Sequence, residues 1–311
     1  MSNIRGQTGG RFTLRLKQSL MRTFFPFAKA VASYIPGGRK LARSVYNLMP
    51  SEQWINVHST PLLANIHDRG IGEYMFLQGG YALARVSEIQ KAVKKGDTVI
   101  DIGANIGYFT VLLANLVGPK GKVYAFEPDP RNFYLLQRTI KRNGWTHVIT
   151  EQKAVSNKAG EFLLYQTRSC AANTLAPGEH ISSVKVSVVT LDDFLSDEHH
   201  IDFVKMDMDG SEPLAIQGMA QLIRRSPNLQ VLAEYEPGNL KRYLSNPLDF
   251  IKIAEQHGLK LAAILDSDSG RLPNIVLAPL SHLADDASLD LLFTHLNLMK
   301  NCLHKSEISQ R

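Results

Sequence analysis

The sequence predicts an α/β fold, a parallel sheet with crossover helices, preceded by a basic arm. Three observations carry this reading. Strand-like and helix-like runs alternate from about residue 96 onward, the pattern of parallel strands joined through helices. The stretch VIDIGANIGYFTVLLA, residues 99–114, passes from a run suited to a buried strand, through two glycines, into a run suited to a helix. Residues 1–50 hold nine basic side chains and no acid, against 26 basic and 29 acidic residues in the remainder.

A chain of 311 residues can bury one large core and still carry extensions. Hydrophobic residues at 44% and charged residues at 21% exclude wholesale disorder. Cys170 and Cys302 are too far apart for a CxxC site and too few for a disulfide framework, so a reducing, cytoplasmic setting is expected. No apolar run reaches the ~18 residues that a membrane span requires. TFFPFAKAVASYIPGG imitates the apolar part of a signal peptide, but Pro26 and Lys29 interrupt it, and secretion is not expected.

Within the arm, RFTLRLKQSLMRTFF sets Phe12, Leu16, Leu20 and Phe24 at i, i+4 spacing, with Arg11, Arg15 and Arg22 on another side. Such a basic amphipathic helix can lie on an anionic membrane, the inner face of one for a cytoplasmic chain, or simply pack on the core. A transit peptide has similar composition. After Gly37, Gly38 and Pro50, EYMFLQGGYALARVSEIQKAVKKGD reads as a helix leading to Gly96-Asp97.

Strands are expected at 98–102, 122–127, 147–151, 202–208, 229–235, 259–265 and 274–278, and helices at 107–117, 131–143, 212–223 and 247–257. EFLLYQ and VKVSVV, within 152–195, suggest an added hairpin, and the leucine-rich LDLLFTHLNLM reads as helical. The division is then a partly helical basic arm over 1–70, a core domain over 71–280 and a helical tail over 281–311. Oligomeric state is not legible.

Where a parallel strand runs into a helix, free amides and the positive helix end face the crevice beyond the strand tips. Gly103 and Gly107 remove side chains from that turn, and Asp101 ends the strand with a negative charge. The stretch GANIG lacks the middle glycine of a dinucleotide fingerprint and no Walker lysine follows, which disfavours a dehydrogenase or a phosphate-rich cofactor. An acid suits a ligand with its own cation, such as S-adenosylmethionine. Glu127 ends the next strand, in VYAFEPDP, where a carboxylate can accept both hydroxyls of a ribose.

These residues resemble the FkbM family of S-adenosylmethionine-dependent methyltransferases. The resemblance rests on GDTVIDIGANIGYFT (96–110), VYAFEPDPRNFYLLQRTIKRNG (123–144), KAVSNKAG (153–160), TLDDF (190–194), VKMDMDGSEPLAIQGM (204–219) and LAEYEPGNL (232–240), in the family's order, and covers roughly residues 75–280. It implies a Rossmann-like, seven-strand class I methyltransferase sheet, mostly parallel with one antiparallel strand, and methyl transfer to a hydroxyl oxygen. It also implies that Asp101, Gly103, Ala104, Asn105 and Gly107 line the methionine side of the cofactor. Glu127, followed by Pro128, would hold the ribose, with Ala154, Val155 and Ser156 near the adenine. Asp209 departs from the family, which usually has a glutamate there.

An alcohol needs a base, which typically adds about 10² to 10⁴-fold to the rate. IDFVKMDMDG places Lys205, Asp207 and Asp209 at alternate positions, hence on one strand face. Asp207 is the first choice for base, with Lys205 in support and Glu234 joining from the next strand; structural ion pairing is the competing role. These carboxylates could bind Mg²⁺, but sulfonium chemistry requires no Lewis acid and no metal is expected. His180 is a second candidate base, and residues 169–183 are expected to shape the acceptor pocket. The expected acceptor is a glycan, polyketide or related natural product, lipid-linked in one version. An RNA methyltransferase is disfavoured because the arm lacks interleaved stacking aromatics; a non-catalytic S-adenosylmethionine-binding regulator is the remaining alternative.

Overall fold

The computed structural model describes residues 44, 46–68, 70–78, 81–166, 174–176, 180–266 and 289–295. The chain divides into two compact units, Met1–Ser51 and Glu52–Arg311. In the first, the Met49 amide donates to the Tyr46 carbonyl at 3.0 Å in a short helical segment. The amphipathic segment 11–25, both cysteines and the strand expected at 274–278 lie outside the described residues.

The second unit opens with a hairpin of β1 (Glu52–Val57) and β2 (Thr60–Asn65), which the sequence reading had placed in the arm. His58 and Ser59 adopt left-handed φ of 50° and 62°, the two-residue turn that matches strand twist. Leu62, Leu63 and Ala64 are buried, and the Leu63 amide donates to Thr139 Oγ1 at 2.9 Å.

Helices α1 (Ile71–Gln78) and α2 (Leu83–Ala92) lead into β3 (Thr98–Ile102), α3 (Tyr108–Val117), β4 (Lys122–Phe126), α4 (Pro130–Asn143) and β5 (Val148–Glu151). The buried faces of α3 explain its near-continuous apolar sequence. Helix α4 begins where Asp129 accepts from the Arg131 amide at 2.7 Å, with Pro130 in its first turn. The added hairpin is present: β7 (Gly160–Gln166) pairs antiparallel with β8 (Ser182–Val189), and β6 (Lys153–Val155) joins β8 in a three-stranded sheet.

After α5 (Leu191–Phe194) come β9 (Phe203–Met206), α6 (Glu212–Gln217), α7 (Ala220–Arg225), β10 (Gln230–Tyr235), α8 (Pro237–Leu240), α9 (Asp249–Gln256), β11 (Leu259–Asp266) and β12 (Leu289–His295). The helix expected over 212–223 is thus two helices. The expected helical tail is also corrected, because Leu289–His295 is a strand lying antiparallel between β10 and β11. With both faces covered, its sequence shows a leucine-rich run, broken by Asp290 and Thr294, instead of strict alternation.

The main sheet has the order β11-β12-β10-β9-β3-β4-β5, and β3, β4, β5, β9 and β10 are parallel where they pair. This is the expected seven-stranded, mostly parallel sheet. Two apolar layers cover it. Val99, Val123, Phe203 and Leu232 face the layer built with α2, α3 and α4. Ile100, Phe126, Val204 and Phe293 face the one built with α6, α7 and α9. The chain moves outward one way through β4 and β5, then returns to the other side of β3 through β9. Ligand crevices form at such a switch point, beyond the carboxyl ends of the strands.

Candidate active site

A cavity of about 300 Å³ opens at that switch point, between the tips of β3, β4, β9 and β10. Of the residues singled out in the sequence, Gly103, Ala104, Asn105, Glu127, Pro128, Ala154, Val155, Lys205, Asp207 and Glu234 line it. Asp209 lines it too. Asp101, Gly107, Ser156 and His180 do not.

Asp101 is wholly buried; Oδ2 accepts from Thr110 Oγ1 at 2.6 Å, and Oδ1 lies 3.2 Å from Lys205 Nζ. The negative charge expected beside a ligand therefore stands beside Lys205, one layer beneath the cavity. The two glycines also serve the protein itself. A Cβ on Gly103, at φ +70°, would sit 1.9 Å from the Asp207 carbonyl oxygen, and one on Gly107, at φ +99°, 2.8 Å from Leu136 Cδ1. Gly103 lets the tips of β3 and β9 close on each other, and Gly107 lets α3 start against α4. Ser156 donates its amide to the Val189 carbonyl at 3.0 Å. His180 is exposed and packs edge-on against Tyr165, with centroids 4.8 Å apart.

Glu127 is held by its surroundings. Oε2 accepts from the Asn105 amide at 2.7 Å and Oε1 from the Asp129 amide at 2.8 Å. Each carboxylate oxygen keeps a second lone pair. Burial raises its pKa to about 7, opposed by those two amides. Beside it Phe126, Val155 and Leu164 form an apolar wall.

The β9–β10 side is charged. Period two and strand register put Asp101, Lys205, Glu234 and Asp290 on one sheet face: Asp101 lies opposite Lys205, and Glu234 opposite Asp290. Lys205 Nζ donates to the Gly103 carbonyl at 2.9 Å, stands 3.8 Å from Asp207 Oδ2 and lies 5.1 Å from the centre of the Phe109 ring. Burial pushes its pKa down, but Asp101 and Asp207 outweigh that and hold it up.

Arg85, from α2, meets three acids: Nη1 is 2.8 Å from Asp207 Oδ2, Nη2 is 2.7 Å from Glu234 Oε1 and Nε is 2.5 Å from Asp290 Oδ1. Burial pushes the Asp207 carboxyl up, but Lys205 and Arg85 together hold it below the usual range. Burial and then the Asp207 charge push Glu234 well above it. The carboxylates weighed as Mg²⁺ ligands converge on a guanidinium.

Sequence reasoning missed Arg85, Asp290 and the aromatic wall of Tyr81, Tyr108 and Phe109. Arg85 left a signal, since it shares the apolar stripe of α2 with Ile89 and Val86, where a solvated arginine would not stand. Tyr81 packs edge-on against Tyr108 at 5.4 Å, and the Tyr108 hydroxyl donates to the Tyr81 carbonyl at 2.7 Å. Burial pushes the Tyr108 phenol up to about 12.

This mostly parallel seven-stranded sheet with a cavity at its switch point fits the Rossmann-like methyltransferase fold expected from the sequence. The methyltransferase FkbM domain matches residues 101–258, half of the chain, and the chain belongs to that family. Over 68 residues it is 43% identical to the 31-O-demethyl-FK506 methyltransferase FkbM of Streptomyces tacrolimicus, covering 22% of this chain and 25% of that one. It is 39% identical over 54 residues to a protein-L-isoaspartate O-methyltransferase of Aeropyrum pernix, covering 17% and 21%. The chain thus spans about a quarter or less of the length of these curated relatives. Among solved structures it is similar to M. jannaschii TYW2 in complex with AdoMet, at 15% identity and a TM-score of 0.42, covering 79% of this chain and 86% of that one.

The cofactor of this methyltransferase domain is S-adenosylmethionine, and the residues present fit it. An oriented carboxylate suits a ribose, an apolar wall suits an adenine, and carboxylates beyond suit a cationic centre. No helix among the described residues is long and apolar enough to cross a membrane.

Proposed function

We propose that this protein methylates a hydroxyl oxygen of a neutral, polyhydroxylated acceptor, a glycan, polyketide or related natural product. One observation carries the reading: the carboxylates that line the cavity, Glu127, Asp207, Asp209, Glu234 and Glu236, outnumber its lysines, Lys153 and Lys205. Carboxylates accept hydrogen bonds from hydroxyls and repel phosphates, which favours a neutral acceptor over RNA. The relatives named for methylation at oxygen support an oxygen nucleophile.

When bound, S-adenosylmethionine would supply an electrophilic methyl group, its sulfonium becoming a neutral thioether. The residues of the chain do the rest. Glu127 would hold the ribose hydroxyls, with Gly103, Ala104 and Asn105 at the methionine side and Ala154 and Val155 beside the adenine. Asp207 takes the hydroxyl proton as the acceptor oxygen is methylated, then returns it to solvent. Lys205 and Arg85 keep Asp207 ionised for that task. Tyr81, Tyr108 and Phe109 keep water out, and orientation supplies on the order of 7 to 11 kcal/mol of the barrier reduction.

The test is transfer of labelled methyl from the cofactor into a panel of glycans and lipid extracts, with Asp207→Asn as the control. Label should appear as methyl ethers with the parent and fall about 10² to 10⁴-fold with the variant. Labelling of RNA alone, weakening steeply with salt, would overturn the acceptor class. The basic arm supports a version in which the acceptor is presented at an anionic membrane. Deleting residues 1–50 should then abolish binding to anionic vesicles, and unchanged binding contradicts it.

A further inference from the structure

Arg85 is an expensive residue to place where it lies. Its side chain is 5% exposed, on the face by which α2 packs against the sheet. A leucine there would pack the helix without the desolvation cost of a buried guanidinium. What the arginine adds is a fork. Asp207 and Glu234 both line the cavity, and Arg85, itself outside it, binds one oxygen of each through separate nitrogens. Its third nitrogen faces Asp290.

Two cations, Arg85 and Lys205, face four carboxylates in one cluster, of which Asp101 and Asp290 are buried while Asp207 and Glu234 reach the cavity. With two more negative than positive charges, full ionisation is disfavoured and a proton is retained. Geometry decides where. Asp207 Oδ2 has both cations within reach, Arg85 at 2.8 Å and Lys205 at 3.8 Å. Glu234 and Asp290 each have Arg85 alone; Glu234, the one of these two that reaches the cavity, also feels the charges of Asp207 and Glu212. Tyr81 also faces this group, and its phenol is raised by burial and then by Asp207.

We propose that Arg85 is a positioning residue that fixes Asp207, and not Glu234, as the proton acceptor of the methyl transfer. It does so by gripping both carboxylates at once, so that the retained proton belongs to Glu234 and the ionised Asp207 is turned to the cavity. This rests on the reading of Asp207 as the base. A helix-packing arginine without this role would leave the titration order of the two acids unaffected.

The experiment is a carbon-13 carboxyl NMR titration of the full chain, with Asp207→Asn and Glu234→Gln assigning the two signals. In the parent, Asp207 should stay ionised at pH values where Glu234 is already protonated. Arg85→Lys keeps the charge but loses the fork, and should narrow the gap between the two midpoints by at least about one pH unit. An unchanged gap, or Glu234 ionised before Asp207, overturns the proposal.

Should Arg85→Lys not fold, Glu234→Gln decides alone. Because glutamine mimics a protonated glutamate, the Asp207 midpoint should move by less than about half a unit; a fall of more than about one unit contradicts the assignment. The titration needs no acceptor. Loss of the predicted order therefore removes the role of Arg85, whereas full methyl transfer by Asp207→Asn removes the base reading itself.

Discussion

Lys205 and Asp101 form an ion pair sealed inside the protein, with Nζ 3.2 Å from Oδ1 and side chains 3% and 0% exposed. They lie directly opposite in the pairing of β3 with β9. Removing one partner strands a buried charge, which costs about 3–5 kcal/mol, whereas replacing both by apolar groups is often neutral. Lys205→Met leaves the Asp101 charge buried alone and should lower the denaturation midpoint sharply, more than Asp101→Asn, after which Lys205 still has Asp207; the double variant Asp101→Leu/Lys205→Met should recover most of the loss. Two single variants as stable as the parent would show the pair to be idle.

Gly103 is required by the close approach of the Asp207 backbone, in addition to its place in the cavity wall. Gly103→Ala should cost well over ~1 kcal/mol, since its Cβ would lie 1.9 Å from a backbone oxygen at a φ of +70°. Gly238 has open space around it and no left-handed φ, so Gly238→Ala should leave stability within about half a kcal/mol. Urea unfolding of the two variants makes the comparison, and equal stabilities would contradict the close approach.

How much of this was legible in the sequence depended on burial pattern. The parallel strands β3, β4, β9 and β10 were readable because a strand covered on both faces must be apolar at successive positions. Strand β12 is covered on both faces as well, but its leucines fit a helix equally well. The hairpin at 52–65 was hidden because His58 and Ser59 occupy the turn where Asn-Gly is the usual signal. Glu127 and Asp207 could be placed at the strand-tip cavity because strand tips are marked by motifs. Arg85 was not, because it precedes the sheet and meets Asp207 across 122 residues of chain.

Glu127 gives a pH signature. Burial raises its pKa from 4.5 to about 7. A carboxyl with a raised folded pKa contributes stability present at low pH and lost as pH rises through that value. Relative to Glu127→Gln, the stability of the parent without cofactor should fall as pH rises from about 4.5 to about 7 and level off above that. Thermal melts of both proteins across this range give the difference directly; one that is flat with pH would show a normal carboxyl.

Asp209 stands at a left-handed φ of +52°, and burial, then Asp207 and Glu212, push its carboxyl well above the usual range. Asparagine tolerates the same backbone without the charge. Asp209→Asn should stabilise the protein by about 0.5–1 kcal/mol at neutral pH, and the gain should shrink in acid, where Asp209 is protonated. A destabilised variant at pH 7.5 would contradict this.

The central claim is that the oriented Glu127 carboxylate and the strand-tip cavity bind the nucleoside of the cofactor. Calorimetric titration of the full chain with S-adenosylhomocysteine, for the parent and for Glu127→Gln, tests it most directly. The account predicts one site per chain and at least about tenfold weaker binding by the variant, about 1.4 kcal/mol. A parent that gives no binding heat, or a variant that binds as tightly as the parent, would contradict it.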